Sequence, residues 1–228
     1  MKNCLPGVRT LVFDAYGTLL DVSSAAAALR NELADKAIPL AALWRDKQLQ
    51  YTWLRSLQDR YVDFWQVTSE ALEFAMQTLG IQDASMHAKL MDMYRALKAF
   101  PEVANTLQRL KEAGFVTAIL SNGSTAMLQS AVRSAGVEHL LDAILSVDAV
   151  RVYKPHPRVY QMAVDHLGID PQEICFQSSN AWDAHAASAF GMRVVWCNRY
   201  GQQPERLPGK PDFQIKTLDE LPGLLGLD

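Results

Sequence analysis

Five short apolar runs punctuate the chain, with turn or loop residues after them: TLVFD from Thr10, FVTAILSNGS from Phe115, LDAILSV from Leu141, ICFQSSN from Ile174 and MRVVWCN from Met192. Their length and turn-forming ends predict buried strands. Between them, TAMLQSAVRSAG, PRVYQMAVDHLG and AWDAHAASAFG read as helices that close at or near glycine. VANTLQRLKEAG reads as a fourth helix, with Pro101 suited to its first turn. Strand alternating with helix predicts an α/β fold, a Rossmann-like parallel sheet with helices on its faces.

One long stretch breaks the rhythm. Residues 23–97 hold no convincing strand and are dense in helix formers and aromatics, among them Trp44, Tyr51, Trp53, Tyr61, Phe64 and Trp65. The expected organisation is a Rossmann-like core of residues 1–22 and 98–228, interrupted by an inserted helical cap domain, 23–97.

Composition narrows the partners. The 228 residues are 49% hydrophobic, enough for a sizeable core. Lys and Arg number 22 against 25 Asp and Glu, a formal charge of -3 that offers no basic footprint for nucleic acid. Cys4, Cys175 and Cys197 have no CxxC spacing and form an odd set, so they read as reduced thiols rather than a disulfide framework or zinc cage. The start, MKNCLPGVRT, runs into a strand without a longer apolar segment, and no apolar stretch reaches spanning length. The expectation is a cytoplasmic protein with no membrane partner. His87, His139, His156, His166 and His185 show no metal spacing.

Ligands of open parallel α/β sheets sit beyond the carboxyl ends of the strands. Four such ends carry polar residues: Asp14 to Thr18, Ser121 with Asn122, Lys154 after the LDAILSV strand and its loop, and Ser178 to Asp183. The fold would bring these distant segments together. Each also has an ordinary reading: Asp14, Ser121 and Asn122 as caps or turn residues, Asp183 as a first-turn acid favoured by the helix dipole, and Lys154 as a solvated surface lysine.

DAYGT, SNGS, VYKPHPRVY and SSNAWDA resemble the four ordered motifs of the haloacid dehalogenase superfamily, specifically its L-2-haloacid dehalogenase branch, and WRDKQLQYTWLRSL resembles that branch's helical cap. The resemblance runs from Leu11 to about Arg199. It implies hydrolysis of the carbon–halogen bond of short L-2-haloalkanoic acids, giving a D-2-hydroxy acid and halide through an aspartyl ester. Superfamily phosphatases carry DxDGT, whose second aspartate protonates a leaving alkoxide. Tyr16 stands there instead. A phenol with a pKa near ~10 is a poor acid at neutral pH, and a leaving halide needs no proton. Ser178 and Asn180 stand where phosphatases offer a metal-binding carboxylate, so the resemblance implies a site without metal or other cofactor.

The resemblance also assigns roles. Asp14 is the nucleophile, Thr18 orients its carboxylate, and Lys154 keeps it ionised beside a supporting Tyr160. Ser121 and Asn122 receive the substrate carboxylate; Arg45 binds the departing halide with a permanently charged fork of donors. Asp183 activates water, while Ser178 and Asn180 hold the carboxylates and the water. Tyr16, Leu49, Phe64 and Trp182 wall the pocket. Asp46 departs from the pattern, which has glutamine beside the arginine. The implied partners are a small halogenated carboxylic acid, a halide ion and, as the branch is often dimeric, a second copy of the chain.

Overall fold

The computed structural model describes residues 4–22 and 30–227. Its centre is a six-stranded, wholly parallel sheet: β1 (Thr10–Phe13), β2 (Val116–Ser121), β3 (Ala143–Ser146), β4 (Ile174–Ser178), β5 (Arg193–Cys197) and β6 (Phe213–Ile215), in the order β3-β2-β1-β4-β5-β6. The five expected strands are present. The sixth, three residues at the edge, is too short for an apolar run to announce it.

The core is Rossmann-like and β1 is its switch point: the chain winds outward through β2 and β3, then returns to β4 on the other side of β1. All four β1 residues are buried between two parallel neighbours, which is why TLVF reads as an unbroken apolar run. Asp14 is the first residue beyond it, at the crevice where such sheets bind ligands.

Among the described residues, only helices lie between β1 and β2. The main ones are α1 (Ala37–Leu57), α2 (Phe64–Thr78), α3 (Ala84–Arg95) and α4 (Val103–Glu112). The start of the expected insert, residues 23–29, lies outside the described residues. The chain leaves and returns side by side: Asp21 donates its backbone N–H to Lys98 O at 2.8 Å, and Phe100 donates to Leu19 O at 3.0 Å. Helix α4 begins at Val103, so Pro101 sits in the turn before it rather than in its first turn.

Helix α1 has two working stripes. Leu40, Trp44, Gln48 and Thr52, spaced four apart, are buried. Trp44 Nε1 donates to Thr68 O at 2.8 Å and Gln48 Nε2 to Thr68 Oγ1 at 2.7 Å, tying α1 to α2. The adjacent stripe, Ala41, Arg45, Leu49 and Trp53, overlooks the carboxyl ends of the core strands. Three more helices alternate with the later strands: α5 (Thr125–Ser134), α6 (Pro157–Leu167) and α7 (Ala181–Phe190).

Candidate active site

The loop after β1 folds Thr18 back over Asp14. Gly17 takes φ +90°, a backbone that side-chain-bearing residues rarely adopt, and Leu19 and Leu20 both donate N–H groups to Ala15 O. Thr18 Oγ1 thereby donates to Asp14 Oδ2 at 3.1 Å and accepts from Ser179 N at 2.8 Å. β4 brings the second holder: Asn180 Nδ2 donates to the same Oδ2 at 3.0 Å.

Asn180 is the N-cap of α7, yet its side chain makes no capping bond. A cap bond is worth about 1 kcal/mol. The amide is spent on the site instead, with Oδ1 accepting from Arg45 Nη2 at 3.1 Å. Arg45 Nη1 donates to Gln48 Oε1 at 2.8 Å. Gln48, one turn on, is buried and fixed by Thr68 and Tyr94.

Lys154 is no surface lysine. Only 1% exposed, it lies between two carboxylates, with Nζ donating to Asp14 Oδ1 at 3.2 Å and to Asp183 Oδ2 at 2.8 Å. Its backbone N–H donates to Asn122 Oδ1 at 2.9 Å, and the peptide bond to Pro155 is cis. Tyr160 OH donates to Asp183 Oδ1 at 2.7 Å, while its ring packs on Phe176 and Phe190. Burial disfavours the ammonium, but the Asp14 and Asp183 charges outweigh it and hold the Lys154 pKa above the ordinary lysine value. One ammonium cannot neutralise two carboxylates. Asp183 accordingly sits above the usual carboxylate range: burial is the first cause and Asp14 adds to it, against the opposing pull of Lys154 and the Tyr160 bond.

Ser121 and Asn122 are not spent on capping. The helix after β2 is capped by Ser124, whose Oγ accepts from Met127 N at 3.4 Å. Ser121 is fully buried at the end of β2 and its Oγ accepts from Gly123 N at 3.1 Å. Tyr16 stacks on Tyr94 at 5.4 Å and tilts against Phe64 at 5.8 Å. Its buried hydroxyl has no hydrogen-bond partner among the described residues, and burial, with Tyr94 and Asp14 nearby, drives its pKa well up. Gly123 explains how the ring fits: a Cβ there would meet Tyr16 Cε2 at 2.6 Å.

These residues enclose a cavity lined by Asp14, Tyr16, Arg45, Leu49, Phe64, Ser121, Asn122, Lys154, Asn180 and Trp182, with a volume of about 10 Å³. That is room for about one water. Outside it, past Arg45, a vestibule of about 390 Å³ opens, where Asp46 and Glu205 lie on the wall. Ten of the fourteen expected residues therefore border one space. The other four stand behind it. Thr18 and Asp183 hold Asp14 and Lys154, Tyr160 holds Asp183, and the Ser178 hydroxyl accepts from Asn180 N at 3.2 Å without reaching either carboxylate. Asp46 is exposed and faces the vestibule only. Sequence reading missed Gln48, Tyr94 and Gly123; for Gln48 the signal was there, a polar residue in the buried stripe one turn after Arg45.

The six-stranded parallel sheet, with β1 at its switch point, is a fold shared with known proteins. The pattern that defines haloacid dehalogenase-like hydrolases matches residues 8–191. The chain belongs to that family. Over 219 residues it is 47% identical to (S)-2-haloacid dehalogenase 4A of Burkholderia cepacia, covering 96% of this chain and 95% of that one. A crystal structure of a dehalogenase superposes with a TM-score of 0.95 at 47% identity, covering 96% of this chain and 98% of the other. The L-2-haloacid dehalogenase of Xanthobacter autotrophicus, with chloropropionic acid covalently bound, superposes at 0.89 with 38% identity, covering 96% and 98%.

Among the described residues, no group of three or more His, Cys, Asp or Glu side chains could hold a metal ion, and no helix is long and apolar enough to cross a membrane.

Proposed function

We propose that this chain is an (S)-2-haloacid dehalogenase, hydrolysing short L-2-haloalkanoic acids to D-2-hydroxy acids and halide through an ester on Asp14. The observation that carries the reading is a buried switch-point carboxylate, Asp14, that shares its cavity with a phenol, Tyr16, rather than with a second carboxylic acid. Asp14 is held at Oδ2 by Thr18 and Asn180 and carries only the Lys154 bond at Oδ1. Across the cavity stands Tyr16, its phenol kept protonated by burial. A halide leaves without a proton, so such a wall costs the reaction nothing.

Oδ1, the less encumbered oxygen, attacks C2 from behind the halogen. Arg45 meets the departing halide with a guanidinium fork already aimed by Gln48 and Asn180. The substrate carboxylate rests at the Ser121–Asn122 backbone. Esterification removes the Asp14 charge, leaving Lys154 to Asp183 alone; the Asp183 carboxylate then takes a proton from water attacking the aspartyl carbonyl. The same reading assigns residues 1–22 and 98–228 to the catalytic core and 23–97 to the cap, and takes the enzyme as a cytoplasmic homodimer.

The test is halide release from (S)-2-chloropropionate after dialysis against EDTA. Full activity there, with no turnover of an aryl phosphate in magnesium, supports the reading. The reverse pattern would make the chain a phosphatase. Arg45→Lys should lower kcat on the order of 10²- to 10³-fold, because an ammonium keeps the charge but not the fork. An unchanged kcat would mean that Arg45 does not meet the halide.

Tyr160→Phe should leave a folded enzyme with a displaced pH profile. The Tyr160 bond pulls the Asp183 pKa down, so its loss raises that pKa. The acidic limb of kcat then moves to higher pH while the rate on the alkaline plateau changes little. A lower rate at every pH with an unmoved limb would assign Tyr160 to packing alone.

A further inference from the structure

We infer that two indoles, Trp53 from α1 and Trp182 from α7, form the partition that sets the chain length of the acid this enzyme accepts; the inference rests on the dehalogenase reading. With Asp14, Arg45 and the Ser121–Asn122 backbone engaged by the reacting groups, the C2 substituent of the substrate faces the apolar walls Leu49, Phe64 and Trp182. Phe64 is backed by packed rings, Tyr16 at 5.8 Å and Tyr153 at 6.1 Å. Trp182 is backed by space. Its far side borders a cleft of about 560 Å³ lined by Trp53, Pro155, Tyr160, Phe190, Leu207 and other apolar residues, with no charged side chain on its walls.

Trp182 is half-buried and meets Trp53 edge-to-face, ring centroids 5.6 Å apart at 83°. Trp53 continues the stripe of Arg45 and Leu49 one turn further along α1, borders the cleft and is absent from the lining of the reaction cavity. Its Nε1 is buried without a hydrogen-bond partner, so ring packing alone holds it and its removal strands no polar group. The pair thus spans the seam between α1 and α7, with Trp53 bracing Trp182 in the closed position. Without the brace, the Trp182 indole can swing into the cleft and admit a longer alkyl chain.

Each methylene that leaves water for an apolar wall is worth about fourfold in binding. Trp53→Ala should therefore raise kcat/KM for 2-bromohexanoate at least about tenfold relative to 2-bromopropionate, and change kcat/KM for the propionate by less than about threefold. Ala186, one turn beyond Trp182 on α7, also lines the cleft. Adding Ala186→Phe to Trp53→Ala should refill the cleft and abolish the gain. Trp53→Phe, a gentler change, should give a smaller gain in the same ratio. An unchanged ratio in Trp53→Ala and in Trp53→Phe, with wild-type turnover of 2-bromopropionate intact, overturns the partition; so does a gain that survives Ala186→Phe. Absence of halide from both substrates with the wild-type protein overturns the dehalogenase reading instead.

Discussion

Lys154→Met should cost the protein about 3–5 kcal/mol of stability and lower halide release on the order of 10³-fold or more. Asp14 and Asp183 are both buried and share the one ammonium. Removing it leaves two carboxylates facing each other away from water. Either one takes up a proton, which removes the nucleophile if it is Asp14 or the base if it is Asp183, or both stay charged, which strains the fold. Chemical denaturation measures the first loss and a chloride assay the second. The double variant Lys154→Met/Asp183→Asn separates them. It restores the single net negative charge of the trio, so stability should recover in part, whereas activity should not. If Lys154→Met alone kept its stability and its rate, the buried cation would be neither a structural nor a chemical partner of Asp14.

Much of this site is legible in the sequence because each of its parts is local. DAYGT, SNGS, the Lys-Pro step and SSNAWDA are short segments at the carboxyl ends of strands, and a parallel sheet leaves those ends together. What the sequence withheld is lateral. Gly123 is explained only by the Tyr16 ring lying over it, a contact across two strand ends. Tyr94 ends the buried stripe Met86, Leu90, Tyr94 of α3, and that periodicity tells of burial but not of the stack on Tyr16. Ser178 and Asp183 read as equals of Asn180, yet they stand behind the cavity; which of several polar neighbours reaches the open space depends on rotation at the start of α7. Asp46 follows Arg45 directly, and the 100° step between consecutive helical residues turns it out to the vestibule. Strand β6 escaped because three residues carry too little pattern.

A single turnover with excess enzyme in heavy-oxygen water should yield a hydroxy acid whose new hydroxyl oxygen is unlabelled, and should leave the label in the Asp14 carboxylate. If Oδ1 of Asp14 attacks C2, that oxygen departs with the product when water cleaves the ester at the aspartyl carbonyl. Its replacement comes from solvent. The fixed arrangement favours this order: Oδ2 is held by Thr18 and Asn180, Oδ1 carries only the Lys154 bond, and Asp183 lies on the far side of Lys154. Stereochemistry cannot decide the route, because direct attack of water on C2 would invert the carbon once as well. Mass spectrometry of the product and of the peptide containing Asp14 reads the two fates separately. Heavy oxygen in the first-turnover product, with none in the peptide, would reduce Asp14 to a general base and make Lys154 the partner of a base rather than of a nucleophile.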